Sequence, residues 1–184
     1  MFKWVKAGHI ISLGLFIYLL AYVGSETIID EEVTVPANDY LHYAVRVYPG
    51  QGIQACAGVR TLNGTEYEYG VLELMMMDDA GYNHFLYPEE YTESGDRTHE
   101  WVGYNDREYI EADIRWFGVV HIILNNRRAV DHEQAKDGFV MITLVRPLGY
   151  LGFPSLVVTL YGVGKWVKAR KQVEENTETQ YSTA

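Results

Sequence analysis

The chain has 184 residues, 48% of them hydrophobic, and a formal net charge of -10. The acidity is concentrated: residues 26–146 hold 22 of the 25 Asp and Glu but only 9 of the 15 Lys and Arg, a local balance of -13, and a surface of that sign repels phosphate backbones, which excludes nucleic acid as a partner. One cysteine, Cys56, excludes an intrachain disulfide, so the folded part must rest on its own core.

Taken in chain order, the first element is an apolar stretch from Ala7 to Val23, preceded by Lys3, Trp4 and Lys6. It reads as a transmembrane anchor within residues 1–25, because cationic flanks are retained on the cytoplasmic side and Trp favours the headgroup layer. A secretory signal peptide ending near Val23-Gly24-Ser25 is the other reading.

Residues 26–146 have a period of two. Glu31 to Val35 reads as a short first strand. In Tyr40 to Tyr48, Leu41, Tyr43, Val45 and Val47 share one face, and in Tyr109 to Trp116 the residues Ile110, Ala112, Ile114 and Trp116 do the same. Such alternation marks half-buried strands. Gln51 to Arg60, Val71 to Met77, Val119 to Leu124 and Phe139 to Val145 add β-rich runs, the last two apolar enough for central strands covered on both faces. Pro49-Gly50, Asn63-Gly64, Asp78 to Gly81, Ser94 to Asp96 and Asp137-Gly138 read as turns. No sustained helical period interrupts them, so the expected fold is mainly β, an antiparallel sandwich of jelly-roll type.

The chain ends with a second apolar stretch, Leu148 to Val163, followed by Lys165, Trp166, Lys168, Arg170 and Lys171. It predicts a transmembrane helix over 147–167, kinked at Pro154, and a polar, disordered tail over 168–184. Cations at both ends predict two spans in a cell membrane, both termini cytoplasmic and the central domain outside.

Four segments carry a likeness to a known family: VTVPANDYLHYAVRVYPGQGIQACAGV, VLELMMMDDAGYNHFLYPEEY, YIEADIRWFGVVHIILNN and GFVMITLVRP. Over residues 30–146 they resemble the GOLD domain, the β-sandwich of the emp24/gp25L/p24 membrane proteins and their prokaryotic relatives. The most telling piece is the strand Val119 to Leu124 closing on Asn125-Asn126. The chain departs from the eukaryotic members: Cys56 has no partner, no coiled coil separates sandwich from anchor, and the tail lacks their sorting signals. What the resemblance implies is a noncatalytic domain contacting proteins or lipids at a membrane. The expected partners are the bilayer and other membrane or extracytoplasmic proteins, with this chain an accessory subunit of a larger membrane assembly.

No catalytic constellation is legible. His42, His84, His99, His121 and His132 are scattered singly, without a metal-ligand spacing. Ser25, Ser94 and Cys56 lack an activating neighbour, and no cofactor motif is present. Two candidate sites fall in one long loop, Asp78 to Asp106. Tyr82, Phe85, Tyr87 and Tyr91 are rigid amphipathic rings suited to a partner protein. Asp78, Asp79 and Asn83, joined by Glu89, Glu90, Glu93 and Asp96, supply oxygens for the alternative, a small-ligand or calcium sensor. Asn63-Gly64-Thr65 is a glycosylation sequon on a turn.

Overall fold

A computed structural model describes residues 2–60, 71–90, 97–103, 106–129 and 131–182. The chain forms two compact units, Ser25–Pro147 and a second made of Met1–Gly24 with Leu148–Ala184.

Ser25–Pro147 is a sandwich of two four-stranded sheets. Its strands are β1 (Ser25–Val35), β2 (Tyr40–Val47), β3 (Gly52–Val59), β4 (Leu72–Met77), β5 (Arg97–Val102), β6 (Arg107–Asp113), β7 (Gly118–Asn125) and β8 (Lys136–Val145). The first sheet runs β1-β8-β3-β6 and the second β2-β7-β4-β5, with every pairing antiparallel. The period-two runs set the core. Val45, Ile110, Ile114 and Ile122 are buried, and Leu41 and Trp116 pack partly covered against the same cluster. Ile53, Ala55, Ala57, Val140 and Ile142 of the first sheet belong to the same core.

β4 is buried along all six residues. One face meets the other sheet, and the other is covered by a helix, α2 (Asp79–Leu86). β7 is buried from Val120 onward, as an apolar central strand requires. β8 is also central, but its outward residues Asp137 and Met141 are open to solvent.

Two turn signals behave differently from their sequence reading. Pro49-Gly50 does not close a hairpin but carries the chain from one sheet to the other, with Gly50 at φ 91°. Asp137-Gly138 lies inside β8, where Gly138 pairs with Val59. A Cβ on Gly138 would stand 2.1 Å from the Gly58 carbonyl oxygen, so close backbone approach, not a turn, is what glycine provides there. The expected loop from Asp78 to Asp106 also contains structure, α2 and β5.

In the second unit, α1 (Phe2–Ala21) packs antiparallel on α3 (Gly152–Ser182), which a short 3-10 turn over Gly149–Leu151 precedes. Small residues set the contact. A Cβ on Gly14 would meet Thr159 Oγ1 at 2.2 Å, and one on Gly162 would meet Ile11 Cγ1 at 2.8 Å. The larger side chains Phe16, Leu19, Phe153 and Leu160 point outward.

Among the described residues no helix is long and apolar enough to cross a membrane. This overturns the expected transmembrane helices at 1–25 and 147–167, and with them the two-span placement in a cell membrane with cytoplasmic termini. Length is the physical reason. The apolar part of α1, Ala7 to Ala21, reaches about 22 Å at the helical rise. Leu148 to Leu151 go into a turn, so the apolar part of α3, Gly152 to Val163, reaches about 18 Å. A hydrocarbon core needs roughly 30 Å. Pro154 falls in the first turn of α3, where a missing N–H costs nothing, instead of kinking a longer helix. The helix continues through residues 168–182, across the segment read as a polar tail.

Candidate functional site

The region holding both sequence candidates is built around α2. Asp78 has an extended backbone and caps the helix, its Oδ1 accepting from the Gly81 N–H at 2.7 Å. Tyr82 and Phe85 then point at the second sheet, onto buried Met75, Met77 and Ile123. Phe85 meets Tyr40 edge-on at 5.2 Å between centroids.

Beside this contact lies a chain of polar rings that single residues did not announce. His121 of β7 bonds Asp79 through Nε2 at 2.8 Å, and its Nδ1 lies 2.9 Å from His42 Nε2. His42 Nδ1 is in turn 3.3 Å from the Tyr82 hydroxyl. The Tyr82 ring stacks on both imidazoles, at 4.2 Å from His121 and 4.4 Å from His42. One set of tautomers satisfies every bond. Tyr82 donates to His42 Nδ1, His42 Nε2–H donates to His121 Nδ1, and His121 Nε2–H donates to the Asp79 carboxylate, with both imidazoles neutral. Burial, followed by the neighbouring His121, pushes the His42 pKa down, in keeping with a neutral ring. Burial pushes the Tyr82 hydroxyl up, so it stays a donor.

The arrangement begins and ends on α2, at Asp79 and Tyr82. All four imidazole nitrogens are engaged within the chain. Its physical effect is to fasten α2 to the sheet.

The sequence candidates are thereby redistributed. Asp78 caps and Asp79 binds His121, so their carboxylates do not converge on a cation site. Among the described residues no three His, Cys, Asp or Glu are grouped to hold a metal. Tyr82 and Phe85 face the sheet, while Tyr87, just past the helix end, is 53% exposed. Tyr91, Glu93, Ser94, Asp96 and Asn63 lie outside the described residues. His132 Nδ1 approaches the Ala129 carbonyl at 3.3 Å. Cys56 is half-buried on the outward side of β3, and burial pushes its thiol up, away from a reactive thiolate.

Asn125 and Asn126 close the end of β7. Asn125 Nδ2 donates to the buried Glu73 at 3.0 Å, and Asn126 Nδ2 donates to the Pro36 and Gln134 carbonyls. At the opposite end of β7, the exposed rings of Phe117 and Tyr48 meet at right angles with centroids 5.8 Å apart. Sequence reasoning missed both the His42–His121 link and this pair. Alternation does place His42 outward on β2, but the β2–β7 register that sets it diagonal to His121 is a tertiary fact.

No protein-family model and no curated protein matches the chain. Among solved structures, the periplasmic g-type lysozyme inhibitor PliG of Aeromonas hydrophila is similar at 11% identity and TM-score 0.36, over 66% of this chain and 84% of that one. A subunit of the disulfide-linked pili of Bacillus endospore appendages is similar at 12% identity and TM-score 0.29, over 66% and 86%. A de novo designed double-stranded β-helix follows at 17% identity and TM-score 0.29, over 64% and 96%. Likenesses of this size fix neither family nor activity.

Proposed function

We propose that the sandwich Ser25–Pro147 is a noncatalytic module that binds a partner protein through exposed aromatic rings. The observation that carries this reading is the Tyr48–Phe117 pair, in which a phenyl ring 73% exposed stands against a tyrosine at one end of the sandwich. Large rings with few rotatable bonds lose little entropy when covered, which makes them natural interface anchors. Tyr87 is a second such anchor, and it is the part of the tyrosine patch that α2 leaves outward. The resemblance to the GOLD domain supports the same class of function, a contact module without chemistry. The imidazoles support it too, since each of their nitrogens already has a partner within the fold.

The test is recovery of bound proteins with the full chain as bait, comparing Phe117→Ser, Tyr87→Ser and the double variant. Loss of a specific partner from one of them, with the thermal midpoint unchanged, is the expected result. Equal recovery by all three variants overturns the reading. Tight calcium binding by the full chain, abolished by Asp78→Asn with Asp79→Asn, would replace it with the sensor.

A further inference from the structure

The two-helix unit carries a cleft of about 500 Å³ between α1 and α3, lined by Lys6, Ala7 and Ile10 on one side and Lys165, Lys168 and Gln172 on the other. Three lysines thus border one space, and among the described residues no carboxylate lines it. In a chain of net charge -10 that is a local reversal of sign. The nearby cation Arg170 has its own carboxylate, Glu174, at 3.0 Å. Lys165 lies 5.1 Å from the Tyr161 ring, an attraction that leaves its ammonium hydrogens free for an acceptor.

Like charges gathered at this range repel, and an anion seated among them converts the repulsion into attraction. A phosphate group offers several acceptor oxygens to separate lysines, which bind it as point charges, and the Gln172 amide adds a neutral donor. Buried Ala7 with Ile10 gives the cleft an apolar side, which suits a carbon stem on the ligand. The geometry points to a phosphate-binding site between α1 and α3, for a phosphate monoester carrying an organic group. The phosphate can belong to a free metabolite or to a lipid headgroup, and the chemistry at the lysines is the same.

The test uses the purified full chain and two probes. Titration calorimetry with inorganic phosphate reports the free form, and flotation with vesicles of phosphatidic acid in phosphatidylcholine, against phosphatidylcholine alone, reports the headgroup form. Binding of either probe is expected, weakened roughly tenfold or more by Lys165→Gln with Lys168→Gln. Lys171→Gln, which removes one charge outside the cleft, should weaken it far less than Lys165→Gln or Lys168→Gln alone, each of which removes one charge inside it. Which probe binds assigns the source. No binding of either probe overturns the site. So does an equal loss in Lys171→Gln, because the attraction would then be diffuse. All three lysines are exposed, so the thermal midpoint should not move in any variant.

Discussion

His42 and His121 share a single hydrogen bond, 2.9 Å from Nε2 to Nδ1. The bond spans neighbouring strands of one sheet, and its outer ends reach Asp79 and Tyr82 of α2. The helix is thereby fastened through two imidazoles, and burial holds the His42 ring toward its neutral form.

Acid should loosen that fastening. The His42 pKa is lowered in the folded chain, by burial first and by His121 second. The unfolded chain therefore takes the proton first. Stability is fully present above the unfolded value of about 6.5 and is lost as pH falls through the lower folded value. Urea midpoints measured between about pH 7.5 and pH 5 should fall, and fall less in His42→Gln. A slope unchanged in His42→Gln would show that other groups carry the pH dependence. Protection of the Gly81 and Tyr82 amides, taken relative to the intrinsic exchange rate at each pH, should fall over the same range.

Ile114→Ala should cost about 2 to 5 kcal/mol, because the side chain is buried in the main core and its removal leaves a cavity. Glu111→Ala, on the outward face of β6, should change stability by about 0.5 kcal/mol or less. Denaturant unfolding of the two variants side by side checks the assignment of faces.

Gly138→Ala should destabilise more than Gly58→Ala. The new methyl at position 138 meets the Gly58 carbonyl oxygen at 2.1 Å, and backbone in a paired strand cannot step aside. At position 58 the obstacle is the Phe139 ring, which can turn outward from a half-buried site. A cost of about 1 to 3 kcal/mol is expected at position 138, read from thermal midpoints.

Asp78→Ala should remove the cap of α2 and cost about 1 kcal/mol. The same change should be indifferent to calcium, since Asp78 accepts from the Gly81 N–H and Asp79 from His121. A calcium-dependent rise in thermal midpoint, lost in Asp78→Ala, is the contrary result.

Period and turn chemistry were enough to locate seven of the eight strands and the inward faces of β2 and β6, because a strand's two faces are written into alternate residues. The single cysteine likewise ruled out a disulfide within this sequence without any structure. Packing decided the rest. Asp79 to Leu86 has two aromatic residues three apart and a good cap, but it is short, and only the buried Met75, Met77 and Ile123 beneath it make a helix worthwhile there. Asp137-Gly138 has the composition of a turn, yet pairing with β3 needs glycine at that point, so it became strand. The apolar ends are already a little short of a span as strings of letters, to be completed by flanking Trp, Tyr and Lys, and the helix limits at Ala21 and Gly152 shorten them further. His42 and His121 are far apart along the chain, so no local signal joins them; strand register brought them to one bond.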